Sequence, residues 1–409
     1  MLSSVSRLVV ALCAVALLGT ACSTEEGSSG AGGPSQSSGT PSSSSTTPGG
    51  GQQSAPNDSA GVSLTPADGA EKVRPDQPVT VKVASGTITE LKVADADGDA
   101  LEGSYNADRT QWTGVPQLRP GMRYKISGTA KGSDGSAETI SASFRTLTAE
   151  RRLKASVSPL GGTTVGVAMP IQVFWNHPVE DKAAVERRLS VTTSVPVEGT
   201  WHWNDDRQVN FRPKVYWPEH TKVTVHIDTR GVRAGDGLWG WANRTIEFQI
   251  GTSVVSRVDV VHHVMNVYIS GKLARRIPIT AGKDGFTTRS GNKVIMEKFR
   301  VKRMDARTVG IKPGDPEYYD IHDVYYAHRV TSSGEFVHGA PWSSGSQGRE
   351  NVSHGCVGMS LANGAWYFSQ THIGDPVIVT GTSRRIEPGN GWTDWNISWD
   401  VYKQGSALD

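Results

Sequence analysis

Gln77-Pro78-Val79-Thr80-Val81-Lys82-Val83 and Met169-Pro170-Ile171-Gln172-Val173-Phe174-Trp175 carry one pattern twice: a proline, then apolar residues at every second position. Alternation sends successive side chains to opposite faces, so each run reads as a strand with one buried face. Proline has no N–H to give a ladder and is tolerated at a strand's first residue. Around the first run, Val62-Ser-Leu-Thr opens a segment and Ala142-Ser-Phe-Arg-Thr146 closes it. Around the second, Val157-Ser-Pro-Leu opens and Thr245-Ile-Glu-Phe-Gln249 closes. Asp97-Gly98, Asp134-Gly135 and Asp236-Gly237 are turn signals between short strands. The pattern predicts two antiparallel β-sandwiches of immunoglobulin-like size, over 61–150 and 151–252. Neither segment contains a cysteine, so packing alone must stabilise them.

Asp95-Ala-Asp97-Gly-Asp99 has the look of a calcium loop but lacks the distal Glu of an EF-hand, and is read as a hairpin turn. Trp201, Trp203 and Phe211 alternate with polar residues and are assigned to a sandwich core rather than a sugar platform.

A third, β-rich unit covers 253–382. Arg257 to Ile269 alternates, Gly271-Lys272 turns, and Arg275 to Thr280 returns, which makes a hairpin. Gly282 to Asn292 is expected to be a loop, Val294 to Val301 a strand, and Pro376 to Thr380 a closing strand. Ala362 to His372 is the one helix expected. The fold class is therefore mainly β, with one short helix in the last unit and a Trp-rich tail over 383–409.

The N-terminus has the marks of an export signal: Arg7, an apolar run from Leu8 to Leu18, and small residues before Cys22. The run is shorter than the ~20 residues needed to span a bilayer. Cys22 after Leu18-Gly-Thr-Ala21 resembles the lipobox of bacterial lipoproteins, which implies cleavage after residue 21 and lipidation of Cys22. The segment 23–60 is dominated by Ser, Gly and Pro and reads as a disordered tether. Net charge is +2 with both signs interspersed, so no basic stripe points to nucleic acid. The expected place is outside the cell, anchored by lipid to the outer face of the cytoplasmic membrane.

Of three cysteines, Cys13 would leave with the signal and Cys22 would be acylated. Cys356, in Ser353-His354-Gly355-Cys356, would then be an unpaired thiol in an oxidising compartment, which points to a reactive nucleophile. A thiol near pKa 8.5 needs a base or cation beside it and donors for an oxyanion. His338 and His354 are the candidate bases, and Gly355 allows close approach to the backbone amides. Metal binding is not expected: no second cysteine completes a site, and His262-His263 and His322-Asp323 lack ligand spacing.

His338-Gly-Ala-Pro-Trp342 followed by Asn351-Val-Ser353-His354-Gly355-Cys356 resembles the signature of the L,D-transpeptidase family with the YkuD-type catalytic domain, in its mycobacterial and actinobacterial form. The resemblance extends to the immunoglobulin-like modules and to the tail Gly391-Trp392-Thr-Asp-Trp395-Asn-Ile-Ser-Trp399. It implies Cys356 as nucleophile, His338 as base, and the Gly339 carbonyl as the group that orients the imidazole. It further implies oxyanion donors at the amides of His354, Gly355 and Cys356, and substrate contacts from Tyr318 or Tyr319, Trp342, Asn351 and Ser353. The chain departs from the family at Gly358, where Asn or Arg is usual, and at Gly339, where Ser is frequent.

What the resemblance implies for activity is acyl transfer between peptidoglycan stem peptides, without a cofactor and in a monomer. The third-residue amine of one stem would replace the terminal D-Ala of another, giving a 3→3 cross-link. β-Lactams of the carbapenem type are the implied covalent inhibitors. Hydrolysis of the same acyl-enzyme, its transfer to a protein amine, and a weakly active cell-wall scaffold remain as alternatives, the last favoured by Gly358. The tail tryptophans are expected to dock on the preceding module.

Overall fold

The computed structural model describes residues 60–408. Cys356 is the only cysteine among them and its thiol is free; the expectations about Cys13, Cys22 and the segment up to residue 59 lie outside the described residues.

The first sandwich pairs a four-stranded sheet (Val62–Thr65, Thr80–Val83, Gln111–Gly114, Gly103–Tyr105) with a three-stranded one (Thr87–Asp95, Arg123–Lys131, Ala137–Arg145). Val79, Val81 and Trp112 from one sheet meet Ile88, Ile126 and Phe144 from the other. Ala60, assigned above to the tether, is fully buried in this core, and its carbonyl accepts from the amides of Ala84 and Ser85. The sandwich core thus includes a residue that composition assigns to the tether. The acidic loop is a turn, as read: Gly98 has φ 93°, and the three carboxylates converge on Arg119, at 2.6 Å (Asp97), 2.9 Å (Asp99) and 3.4 Å (Asp95). The guanidinium supplies the positive charge that a cation would otherwise bring.

The second sandwich faces Ala155–Ser158, Ile171–Trp175, Gln208–Pro213 and Gly199–Trp203 against Thr164–Val165, Arg244–Ile250, Lys222–Ile227 and Leu189–Thr193. Trp201, Trp203 and Phe211 are buried in its core. Trp203 Nε1 also donates to the buried Glu186 at 2.8 Å, giving its polar edge a partner.

The last unit is built from two sheets. Lys272–Pro278, Val264–Ile269, Val254–Asp259, Pro376–Thr380 and Gly291–Val294 form the first in that order. Glu297–Asp305, Asp320–Arg329, Phe336–Gly339 and Val357–Met359 form the second. The single strand expected from Val294 to Val301 is two strands in different sheets. The amide of Ile295 turns to the Asp375 carbonyl and that of Met296 to the Arg329 carbonyl, so the chain changes sheets at a fully buried Ile295. Alternation cannot reveal this, since both strands bury one face. Thr280 and Gly358 exchange two backbone hydrogen bonds of 2.9 Å and bring the two sheets together beside Cys356.

The helix spans Leu361–Gln370, with Ser360 as N-cap accepting from the Asn363 amide. Its Gly364 lies against Gly339, where an added Cβ would be 3.3 Å from the Gly339 Cα. Its Tyr367 is fully buried and hydrogen-bonds Ser256 at 2.8 Å. The strand that bears His338 is therefore packed from behind by a helix anchored through Tyr367.

The tail docks on the second sandwich. Trp395 Nε1 donates to the Ala168 carbonyl at 2.8 Å, Asp394 accepts from Asn210 at 2.8 Å, and Tyr402 stacks on His202 at 4.5 Å. The Arg212 guanidinium lies over Trp395, Trp399 and Tyr402 at 4.8, 5.2 and 4.3 Å.

Candidate active site

Phe336–Gly339 and Val357–Met359 run parallel, with Val337 opposite Val357 and His338 opposite Gly358. Paired residues share a face and alternate residues change it. Val337 and Val357 accordingly enter the core, while His338 and Gly358 point the other way, as does Cys356 one pleat before Gly358. His338 and Cys356 are thus diagonal neighbours on one face of the sheet, and both line a cavity of about 250 Å³.

His338 is buried, and its Nδ1 lies 2.9 Å from the Gly339 carbonyl. A carbonyl only accepts, so Nδ1 carries the proton and Nε2 keeps its lone pair. Burial holds the imidazole below its ordinary pKa and favours this neutral form. The exposed Trp342 stacks on the ring at 5.7 Å and forms part of the cavity rim.

Cys356 is half-buried and lines the cavity. Sγ lies 3.9 Å from the Gly334 carbonyl, and the Phe336 amide is directed at it. Burial pushes the thiol up to about 11 and the Glu335 carboxylate adds to that rise, while the Phe336 amide, Lys293 and Arg329 oppose it. Such a thiol is protonated at neutral pH and needs the neighbouring imidazole to become a nucleophile.

The loop before it is locked by side chains. Ser353 Oγ donates to the Cys356 carbonyl at 2.6 Å and accepts from the Gly355 amide at 3.1 Å. Thr288 Oγ1 donates to the Gly355 carbonyl at 2.9 Å. Gly355 has φ 118°, a conformation that a Cβ would strain. Its amide is already committed to Ser353, which removes it from the expected oxyanion donors. The amides of His354 and Cys356 make no such bond among the described residues.

His354 lines the same cavity but does not serve as a second base there. Its Nε2 is 2.7 Å from Glu317, which also takes the Lys283 ammonium at 2.6 Å, and its ring lies between Phe286 and Tyr319 at 4.6 and 4.9 Å. Tyr319 lines the cavity and Tyr318 does not. Burial raises the Tyr319 phenol to about 12, so it stays a neutral hydrogen-bond donor. Asn351, expected to touch substrate, is not in the lining. Its Oδ1 accepts from the Ala281 amide at 2.9 Å and its Nδ2 donates to the Val260 carbonyl at 3.1 Å, which fixes the chain leading into the catalytic loop.

Sequence reasoning missed Thr280, Met304 and Ile321, which also line the cavity. They come from distant segments and form no motif. Gly358 has a reason to lack a side chain: an added Cβ would lie 3.0 Å from the Ala340 Cβ and 3.1 Å from the Thr280 Cγ2. Two methyl-bearing neighbours close the space that a side chain would need. A second cavity, of about 320 Å³, shares Met304 and Tyr319 with the first and is lined by Gly334, Phe336 and the basic residues Lys302, Arg303 and Arg329. The Gly334 carbonyl that faces the sulfur belongs to this second lining.

Known proteins resemble the chain along most of its length. The family model for the L,D-transpeptidase catalytic domain matches residues 253–379, and that for a bacterial Ig domain matches residues 70–233. L,D-transpeptidase 2 of Mycobacterium tuberculosis is 34% identical over 341 residues, covering 83% of this chain and 83% of that one. L,D-transpeptidase 5 of the same species is 34% identical over 365 residues, covering 87% and 79%. Among solved structures, that of the LD transpeptidase LdtMt1 in complex with imipenem is 38% identical, covers 55% of this chain and 98% of that chain, and has a TM-score of 0.48.

Proposed function

The chain belongs to the L,D-transpeptidase family, and on that footing we propose that it forms 3→3 cross-links in peptidoglycan, with Cys356 as nucleophile and His338 as base. The observation that carries this reading is the bond from His338 Nδ1 to the Gly339 carbonyl, which leaves Nε2 basic on the sheet face that bears Cys356.

Nε2 takes the thiol proton, and the thiolate attacks the carbonyl between the third residue of a stem tetrapeptide and its terminal D-Ala. The amides of His354 and Cys356, with the Tyr319 hydroxyl at the rim, are the donors for the resulting oxyanion. Collapse expels D-Ala, whose amine is protonated by the imidazolium, and leaves a thioester. The side-chain amine of a second stem's third residue then attacks, gives up a proton to His338 and releases the thiol. The cavity lined by Cys356 and the second one, which shares Met304 and Tyr319 with it, offer one side for the acyl donor and another for the acceptor. A β-lactam acylates Cys356 by the same first step, its ring nitrogen leaving from the carbonyl but staying tethered. Attachment to the outer face of the cytoplasmic membrane through Cys22 belongs to the same proposal, and mass spectrometry of the mature N-terminus tests it: diacylglycerol on Cys22 is expected.

For the reaction, the protein is incubated with disaccharide-tetrapeptide and the products are weighed by mass spectrometry, with Cys356→Ala as control. Dimers lacking one D-Ala are expected from the wild type alone. Tripeptide without dimer would make the enzyme a carboxypeptidase, and dimers from the alanine variant would remove Cys356 from the reaction.

A further inference from the structure

Directly behind the nucleophile lies a group of buried charges that the reaction above does not use. Glu335 is 4% exposed and Lys293 1% exposed. Lys293 Nζ holds Glu335 Oε2, and Arg289 Nη1 holds Oε1 at 3.0 Å. Arg289 Nε continues to the half-exposed Glu387 at 2.6 Å, and the Arg289 backbone amide also donates to Oε1, at 3.1 Å.

Stability does not account for such a group. Desolvating three charges costs as much as their attraction returns, and well-packed apolar residues at buried ion-pair positions are often no worse. Its place relative to the sulfur is more informative. The carbonyl 3.9 Å from Sγ belongs to the peptide between Gly334 and Glu335, and the amide directed at Sγ belongs to the peptide between Glu335 and Phe336. Both peptide groups that touch the sulfur therefore flank the one carboxylate that Lys293 and Arg289 clamp. Glu335 also packs against the catalytic loop, where a Cβ on Gly355 would lie 3.6 Å from its Cγ and Oε1.

We propose that Lys293, Arg289 and Glu335 form a positioning device for Cys356: the two cations anchor Glu335, which fixes the carbonyl and the amide on either side of the sulfur, and they offset the negative charge that Glu335 would otherwise bring against the thiolate. The proposal rests on Cys356 being the nucleophile. The carbonyl can accept from the thiol and the amide can donate to the thiolate, so both states have a fixed partner. Other groups facing the sulfur are His338 on the neighbouring strand, Arg329 from Asp320–Arg329, Tyr319 at the rim and His354 in the loop.

Alkylation of Cys356 by iodoacetamide as a function of pH tests this in the full chain, read by peptide mass so that Cys13 and Cys22 are counted separately. Lys293→Met removes a cation and should move the midpoint up by roughly one pH unit; Glu335→Gln removes the anion and should move it down by a similar amount. A merely structural role would move both variants the same way. Arg289→Gln alters the less buried end of the cluster and should also move the midpoint up, which keeps the test decisive if Lys293→Met fails to fold. Shifts of one sign in all variants, or an unmoved midpoint in Arg289→Gln, would overturn the proposal alone. A wild-type Cys356 inert across the pH range would bring down the nucleophile reading and the proposal with it.

Discussion

His338 illustrates how one hydrogen bond sets chemistry. With Nδ1 tied to the Gly339 carbonyl and burial disfavouring the imidazolium, the base is held below the ordinary histidine value. The acid limb of the kcat/KM–pH profile is expected below the ordinary histidine value of about 6.5. A limb above pH 7 in initial-rate measurements would contradict that. Asp375 is a further residue with a strongly displaced titration. Burial raises it to about 7, and its Oδ1 has no hydrogen-bond partner among the described residues. Its folded pKa exceeds its unfolded one, so its contribution to stability is full below about pH 4 and is lost as pH rises through 7. Asp375→Asn should raise Tm at pH 8 and flatten its fall between pH 4 and 8, by at most about 4 kcal/mol. Thermal melts across that range would show it.

The segment between Asp305 and Asp320 covers the catalytic loop and is tied to it at one point. Glu317 bridges Lys283 and His354, and the neighbouring Tyr319 packs on the His354 ring. The pair is partly exposed, so its worth to global stability is small. Its worth to local order is larger, since beyond the bond from the Ala306 amide to the Tyr319 carbonyl at its base the other backbone bonds of this segment are short-range turns. Glu317→Ala is expected to leave Tm within about 1 °C while speeding amide exchange in 306–319 and raising KM. Unchanged exchange would mean that the loop is held elsewhere. The short helix has the opposite character, being capped by Ser360 and buried through Tyr367, and its role is to back the His338 strand.

The tail joins the catalytic unit to the second sandwich. Asn396 bonds the Asn292 amide and carbonyl at 2.8 and 2.7 Å, while Trp395, Asp394 and Tyr402 engage the sandwich. Deleting 384–409 would leave Arg212 without its aromatic partners and Asn210 without Asp394. A fall of Tm by several degrees and a loss of transpeptidation are expected, and calorimetry with the product assay checks both. Both β-sandwiches, the hairpin and the helix were legible in the chain because alternation and turn residues are local signals. Cys356 and His338 were legible because two short motifs contain them. Which of Tyr318 and Tyr319 faces the thiol, that Asn351 is structural, and that the Gly355 amide is spent on Ser353 were not. Nor was the charge cluster around Glu335, whose members stand far apart in the chain and close together only after Ile295 carries it from one sheet to the other. Periodicity records which face a residue takes, and motifs record which chemistry is available; only the meeting of two sheets decides which groups touch the sulfur.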